Sequence, residues 1–372
     1  MHINIGYAVS NQYTAMLSVS ILSLLENSNP DDEFNIYILN SDITDENKRK
    51  INELKNIKNF NIEYITVENK DFEDIATGIS IVSNYRVKIA SLKPELDKIL
   101  FLDSDLLIVA SLQDLYNTNL KDNYFGAVVD PGIKLQYEYT IRDNEKFPDR
   151  RFNTGVMLIN LDKWRKDNIE NKLLEGMKWY STKYKVWPEQ NVLNMVCKNH
   201  ILELPLQYNV CPILQQQELY QEEGMWEKAC NNPQIIHICG KPKYWEIEGL
   251  QWEDIFWSYA RKTPYYEYFL HNLTNNTIKN NNNHIKKELS ALARNFEIQN
   301  NENAKQIENL KLHFNKSLNY ALNYRENAIR YWRYRLLCNI TFGKKKKHYI
   351  HKKYIWKNIV EEDKRIRNAN FN

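Results

Sequence analysis

The chain opens by alternating apolar runs of strand length with segments of helical spacing, and that alternation leaves few architectures available. HINIGYAV (2–9) reads as a buried strand, TAMLSVSILSLLEN (14–27) as a helix, and the NSNPDDE cluster after it as a stop. FNIYILN (34–40) is a second strand. TDENKRKINELKNI (44–57) reads as a second helix, with Thr44 placed to cap it and Asn47 three residues further on. FNIEYITV (60–67) is a third strand, VSNYRVKIASLKPEL (82–96) is helix-like, and KILFLDSDLLIV (98–109) reads as a further strand. Strands separated by helices predict an α/β fold, a mostly parallel sheet covered on both faces. Right-handed crossovers then place a ligand at the carboxyl ends of the strands.

Past Asp130 the pattern is less regular. FGAVVD (125–130) and FNTGVMLINL (152–161) are strand-like, a helix is predicted over about 161–180, and another over 189–198. The stretch to about Ala260 is rich in Trp, Tyr and Pro and is expected to complete the same domain, including the acceptor side of a cleft. At His271 the composition changes. HNLTNNTIKNNNNH (271–284) reads as a polar, Asn-rich linker. Beyond it Ile285, Leu289, Leu292 and Phe296 recur at helical spacing, and Ile307, Leu310, Phe314, Leu318 and Ala321 resume the rhythm after a polar break near Asn300. Residues 285–340 contain no Gly or Pro, so a long amphipathic region is expected, open to pairing with a second copy as a short coiled coil. The expected division is a domain over 1–270, the linker 271–284 and a helical, basic extension over 285–372.

Charge and cysteine content narrow the function classes. The whole chain carries +3, but residues 325–372 hold fourteen Lys and Arg against four Asp and Glu, a local +10 that leaves −7 on residues 1–324. The five cysteines include no CxxC pair and are odd in number, which argues against a disulfide framework or a zinc ribbon and for a reducing compartment. MHINIGYAVSNQY lacks the basic-then-apolar pattern of a signal peptide, and no run approaches the roughly 18 apolar residues of a membrane span. The expected location is cytoplasmic. The sequons at Asn272, Asn275, Asn315 and Asn339 are then chance matches in an Asn-rich chain. No nucleic-acid-binding motif is present in the sequence.

Two constellations carry chemistry. Asp103-Ser104-Asp105 follows an apolar strand run, and two carboxylates one residue apart at a strand end can approach one hard cation if the backbone bends there. Such a cation would offset the charge of a diphosphate leaving group. The triplet alone is equally compatible with a solvated turn. The second is HICGKPKYW (237–245), led by the apolar run QIIHI. His237 could add an imidazole to a metal, Gly240 could let backbone approach a phosphate, and Lys243 could meet that phosphate as a point charge. His237 could also be an ordinary strand-end histidine.

With these residues in view the chain resembles the retaining glycosyltransferases of family 8, which include bacterial lipopolysaccharide galactosyl- and glucosyltransferases and glycogenin. The resemblance runs from the N-terminus to about Trp245. It rests on NYRVKIASL with KILFLDSDLLI, on FGAVVD, on RFNTGVMLINLDKWR, and on PEQNVLN with HICGKPKYW, in the family's order. It implies a GT-A nucleotide-diphospho-sugar transferase fold with a metal-bound UDP-sugar in its cleft. Carried over by motif, Asp103, Asp105 and His237 look like the ligands of Mn²⁺, with Mg²⁺ the alternative. Arg86, Asn153, Ser104 and Glu189 fall among the donor-binding positions, and Asp130 looks like a further contact to the donor sugar. Gln190 takes the position near the anomeric carbon, on the face away from the leaving group. Gly240 and Lys243 would hold the diphosphate, Tyr13 would stack on the uracil, and Ala8 would meet the base through its backbone. The chain departs from the family where an acidic pair is usual and Ser10-Asn11 stands, so Asn11 would meet the uracil with an amide instead of a charge. It departs again where the family often reads DQD and this chain reads Glu189-Gln190-Asn191.

The resemblance therefore implies a metal-dependent hexosyltransferase that moves galactose or glucose from a UDP-sugar to a glycan or lipid-linked glycan acceptor, such as lipopolysaccharide core, with retention. GKKKKHYIHKKYIWKN (343–358) mixes Lys with Tyr, Ile and Trp, which suits peripheral docking on an anionic membrane surface from the inner side. Two alternatives stand beside this reading: a catalytically degenerate relative that binds glycans or membranes, and a self-glucosylating enzyme like glycogenin.

Overall fold

A computed structural model of the chain describes residues 1–75, 81–130, 151–184, 189–212, 224–298, 304–340 and 344–370. The chain divides into two compact units, Met1–Asn280 and Asn281–Asn372.

The strands of the first unit are β1 (His2–Ala8), β2 (Glu33–Asn40), β3 (Asn61–Thr66), β4 (Lys98–Leu102), β5 (Leu106–Ile108), β6 (Phe125–Val129), β7 (Phe152–Asn160), β8 (Ile201–Glu203) and β9 (Ile235–His237). Seven form one sheet in the order β3-β2-β1-β4-β7-β6-β8. β3, β2, β1 and β4 are parallel neighbours, as the strand-helix alternation predicts. β7 then runs antiparallel to both β4 and β6, and β8 is parallel to β6. The strand order reverses between β1 and β4, with Tyr7 opposite Leu102, so Ala8 and Asp103 emerge side by side at the crevice where open α/β sheets bind ligands.

Side chains alternate across the sheet, and both faces are dry at its centre. Leu100, Leu102, Val156 and Leu158 pack into one core with the helix Thr14–Glu26, while Ile99, Phe101, Met157 and Ile159 pack into the other with Trp164 and Leu173. A strand buried on both faces reads as continuous hydrophobicity, which is why these runs stand out in the sequence. The helix Thr14–Glu26 is buried from Thr14 to Leu25. Its serines are satisfied locally: Ser18 Oγ donates to the Ala15 carbonyl at 2.6 Å and Ser23 Oγ to that of Ser20 at 2.8 Å. Thr44 caps the helix Asp45–Asn52, accepting from the Asn47 N–H at 3.3 Å.

Several elements differ from the sequence reading. KILFLDSDLLIV is two strands in two sheets. After β4 the chain turns at Asp103–Asp105, and β5 pairs antiparallel with β9, Leu106 opposite His237. Residues 82–96 form a 3-10 helix over Ile81–Lys88 and one short α turn over Ile89–Leu92, ending ahead of Pro94. The helix expected over 161–180 is divided at Asn168, which has a φ of 52°, into Leu161–Lys166 and Ile169–Tyr184. The helix expected over 189–198 spans Glu189–Val196.

The Asn-rich segment 271–284, expected as a linker, is helical: one helix runs from Tyr266 to Ile298. Asparagine costs only tenths of a kcal/mol as a helix residue, about 0.7 or less, and the run contains neither Gly nor Pro to break it. In the second unit the helices Ala304–Ile340 and Lys344–Asn370 pack on one another. Asn327 donates to Asp363 at 2.7 Å and the Arg330 guanidinium lies 4.9 Å from the Trp356 ring centre. Along the predicted seam Ile285, Leu289, Leu318 and Ala321 are half-buried and Phe314 is exposed. The polar break near Asn300 and the side chains of Leu292, Phe296, Ile307 and Leu310 fall outside the described residues. Among the described residues no helix is long and apolar enough to cross a membrane.

Thr277, exposed on the helix Tyr266–Ile298, tests its continuity. Thr277→Pro should cost about 3 kcal/mol of local helix stability and lower the helical circular-dichroism signal. An unchanged spectrum would mean that the segment is a linker after all.

Candidate active site

The turn between β4 and β5 sets the site. Asp103 is fixed by its own N–H, which donates to the Gly155 carbonyl on β7 at 2.8 Å, and the Asp105 carbonyl accepts from the Ile238 N–H at 2.9 Å. One end of the turn is tied to the main sheet and the other to the β5–β9 pair, so the backbone bends and both carboxylates face the same space. Ser104 between them is buried.

Three cationic or basic side chains surround these carboxylates. Arg86, from the 3-10 helix, is buried; its Nη2 donates to Asp103 Oδ1 at 2.5 Å and its Nη1 to the Thr154 carbonyl. Its Nε stands 3.1 Å from Glu189 Oε1. Lys243 Nζ lies 2.6 Å from Asp105 Oδ2 and also donates to the Ile238 carbonyl. His237 Nε2 lies 3.4 Å from Asp105 Oδ1 and 3.7 Å from Asp103 Oδ2. Burial would raise the Asp105 carboxyl, but Lys243 and His237 outweigh it and hold the group well below the ordinary carboxylate range.

Asp103, Asp105 and His237 bring one ligand atom each within 4.8 Å of one another. Two carboxylate oxygens and one imidazole nitrogen form a donor set for a hard or borderline divalent ion. The ring is oriented for it: His237 Nδ1 lies 2.9 Å from Asn209 Oδ1, and an N–H donated there leaves the Nε2 lone pair facing the carboxylates. Burial lowers the imidazole, but Cys239, Asp105 and Asp103 outweigh it and push it up to about 9, so metal capture at neutral pH displaces a proton.

The other side of the cleft is built on β7 and the helix Glu189–Val196. Gln190 Nε2 donates to Asp130 Oδ2 at 2.6 Å, and its Oε1 accepts from the Thr154 N–H at 3.2 Å. Asn153 Oδ1 accepts from the Gly155 N–H at 2.9 Å and from Asn209 Nδ2 at 2.8 Å. Asn194 pins the start of β7, accepting from the Phe152 N–H at 2.8 Å and donating to its carbonyl at 2.9 Å. Gly240 has a φ of 73° and open space where a Cβ would stand.

Of the base-recognition candidates, Ala8 ends β1 and Tyr13 is 37% exposed in the turn beyond it. Asn11 is occupied differently from expectation. Its amide oxygen accepts from the Thr44 N–H at 3.1 Å and from Asn47 Nδ2 at 2.7 Å, while its own N–H donates to Asp42 at 2.9 Å.

Sequence reasoning missed Gly155, Thr154, Asn194 and Asn209. A Cβ on Gly155 would stand 2.3 Å from His237 Cε1, so only glycine leaves room for the ring. A glycine inside the apolar strand FNTGVMLIN is the signal that could have marked this close approach. Asn209 has no local signal for this role, since Asn153 and His237 are 56 and 28 residues away.

The architecture is the GT-A fold of glycosyltransferases. The crystal structure of galactosyltransferase LgtC in complex with donor and acceptor sugar analogues superposes with a TM-score of 0.61 at 27% identity, covering 70% of this chain and 96% of LgtC. The sequence model of glycosyl transferase family 8 matches residues 4–249, and the chain belongs to that family. Glycosyltransferase GlyF of Streptococcus pneumoniae serotype 4 is 30% identical over 262 residues, 70% of this chain and 61% of GlyF. The lipopolysaccharide 1,2-glucosyltransferase of Escherichia coli is 26% identical over 247 residues, 65% of this chain and 73% of that protein.

Glu189 generates a pH dependence. Burial pushes its carboxyl up to about 7, against the Arg86 charge and with the Asp103 charge adding to the rise. The folded value lies above the unfolded one, so this group's contribution to stability is complete below the unfolded value and lost as pH rises through about 7. Glu189→Gln should therefore gain up to about 3 kcal/mol on the parent between about pH 5 and about pH 8 in urea denaturation. A difference that stays constant across that range would contradict it.

Proposed function

We propose that this glycosyltransferase moves a hexose, galactose or glucose, from a UDP-sugar to a glycan acceptor with retention of configuration. The observation that carries the reading is the convergence of Asp103, Asp105 and His237 at the sheet's switch point, with Arg86 and Lys243 beside them. The lipopolysaccharide 1,2-glucosyltransferase of Escherichia coli and the galactosyltransferase in complex with donor and acceptor sugar analogues support the substrate class.

Asp103, Asp105 and His237 would hold Mn²⁺, or Mg²⁺ in its place. The bound ion would act as a Lewis acid that offsets charge on the departing diphosphate. Lys243 sits where it can transfer its charge from Asp105 to a phosphate oxygen, with Gly240 leaving the backbone open beside it. Arg86 reaches the same space through Asp103. Asp130 would offer a carboxylate oxygen to sugar hydroxyls and Asn153, whose Oδ1 is taken by Gly155 and Asn209, its amide N–H, with Ser104 and Glu189 as further donor-side residues. Tyr13 and Ala8 bound the uracil, and Asn11, tied to Thr44 and Asn47, shapes that pocket instead of reading the base.

Gln190 favours front-side displacement. Its carboxamide is neutral, and the oxygen that would have to attack already accepts from Thr154 while the nitrogen is bound to Asp130. A group so engaged orients and stabilises but makes a poor nucleophile, so the acceptor oxygen attacks from the leaving-group side and a diphosphate oxygen takes its proton.

The test is UDP release over a panel of UDP-sugars with Mn²⁺. Release from one hexose donor, abolished by EDTA and by Asp103→Ala/Asp105→Ala, is expected, with an α linkage in the product by NMR. Gly155→Ala, which drives a methyl into the His237 ring, should weaken Mn²⁺ binding at least about tenfold in electron paramagnetic resonance titrations. Absence of both UDP binding and Mn²⁺ binding would leave a degenerate glycan- or membrane-binding relative. Repeated hexose mass on the protein itself would point to self-glucosylation.

The second unit is proposed to dock on an anionic membrane surface from the cytoplasmic side, where lipid-linked acceptors sit. Trp332, Ile350, Tyr354 and Ile355 are exposed within its basic segment. At about 1 kcal/mol per basic residue, Lys352→Glu/Lys353→Glu should weaken binding to phosphatidylserine vesicles at least about thirtyfold. Equal sedimentation of variant and parent would remove the docking idea.

A further inference from the structure

Two cysteines stand against the same histidine that faces the carboxylate pair, and the reaction described above uses neither. His237 ends β9 and Cys239 stands two residues further on. The segment through Val210 runs parallel to β9. The Val210 N–H donates to the Ile235 carbonyl at 3.0 Å, and the His237 N–H donates to the Val210 carbonyl at 2.8 Å. That pairing brings Cys211 level with His237 and Cys239. The ligand atoms of Cys211, His237 and Cys239 all lie within 4.8 Å of one another. Both thiols are free; Cys211 is buried and Cys239 is partly exposed, which gives a cation a way in.

The donor chemistry separates this cluster from its neighbour. Two carboxylates and an imidazole suit Mn²⁺ or Mg²⁺, whereas two thiolates and an imidazole suit Zn²⁺ or Cd²⁺, with one coordination position left open. A neutral imidazole has one lone pair. Binding both cations through the two ring nitrogens would require its full deprotonation.

We propose that Cys211, Cys239 and His237 form a site for a thiophilic divalent cation, Zn²⁺ or Cd²⁺, and that its occupation takes His237 from the carboxylate pair, so that the thiophilic and the hard cation exclude one another. Binding displaces the two thiol protons and the imidazolium proton to solvent and changes no oxidation state. The exclusion rests on the metal role of Asp103 and Asp105 given above, whereas the thiophilic site does not.

Cd²⁺ titration of the full chain, followed by the ultraviolet thiolate-to-cadmium charge-transfer band, tests it without reference to activity. One Cd²⁺ per chain is expected, with affinity lowered at least about tenfold by Cys239→Ser and by Cys211→Ser, unaltered by Cys230→Ser, and not lowered to that extent by Asp103→Ala/Asp105→Ala. Cys239 is partly exposed, so Cys239→Ser serves if burial makes the Cys211 variant unstable. A band of parental strength in Cys239→Ser would overturn the site. Mn²⁺ preloaded on the parent should be released by one equivalent of Cd²⁺ in the resonance spectrum, and Mn²⁺ that stays bound while the cadmium band develops would overturn the exclusion. If the parent binds no Mn²⁺ at all, the hard-metal reading fails, and the cadmium band still decides the cysteine site.

Discussion

Two carboxylates one residue apart, turned into the same partly buried space, are the constraint around which this molecule is arranged. Their mutual repulsion and their desolvation both have to be offset, and a nearby opposite charge is what offsets them. Each comes from a different element: Arg86 from the 3-10 helix before β4, His237 from the end of β9, and Lys243 from the loop beyond it. None of these segments is long or strongly self-stabilising. They are held by apolar neighbours, Val82, Tyr85 and Val87 in one core and Ile235, Ile236 and Tyr244 in the other, and so carry their charges to where Asp103 and Asp105 stand. In the proposed reaction the same cations meet the diphosphate, so the balance that stabilises the site also prepares it.

β7 is the backbone counterpart of that charge balance. Within residues 153–155 the Gly155 carbonyl anchors Asp103, the Thr154 carbonyl accepts from Arg86, the Thr154 N–H holds Gln190, and Asn153 meets Asn209. Asn209 passes the connection to His237. Gln190, the carboxylate pair and His237 are thus joined through three consecutive residues of one central strand, buried on both faces and unable to shift independently of the sheet. Gly155 sits at the centre of this network because the imidazole occupies the volume of its missing side chain.

His237 belongs to two donor sets, a hard one on the side of Asp103 and Asp105 and a thiol-rich one with Cys211 and Cys239. The second follows from the same backbone pairing that places the first, since Val210 bonds to both ends of β9. A site assembled on so short a strand has little room to separate its ligands by distance, so it separates them by chemistry.

The apolar runs determined β1, β2 and β4 and the helix between β1 and β2, because a strand covered on both faces must be hydrophobic throughout and its pattern is local, whereas β3, an edge strand with no buried residue, showed as a shorter alternation. The Asp103-Ser104-Asp105 triplet, His237, Gly240 and Lys243 were visible as residue types whose chemistry is independent of context. The reversal of β7 was not visible, since strand direction is set by the partner and leaves no local mark. Nor was the split of KILFLDSDLLIV into two sheets, which arises only because β9, more than a hundred residues later, takes Leu106 as its partner. The helix through the Asn-rich segment went against composition, where the lack of Gly and Pro outweighed polarity. Asn209, Thr154 and the pairing of Cys211 with Cys239 were decided by tertiary structure alone: each acts through neighbours distant in the chain, and a hydrogen bond or a shared ligand exists only once the fold has brought its two ends together.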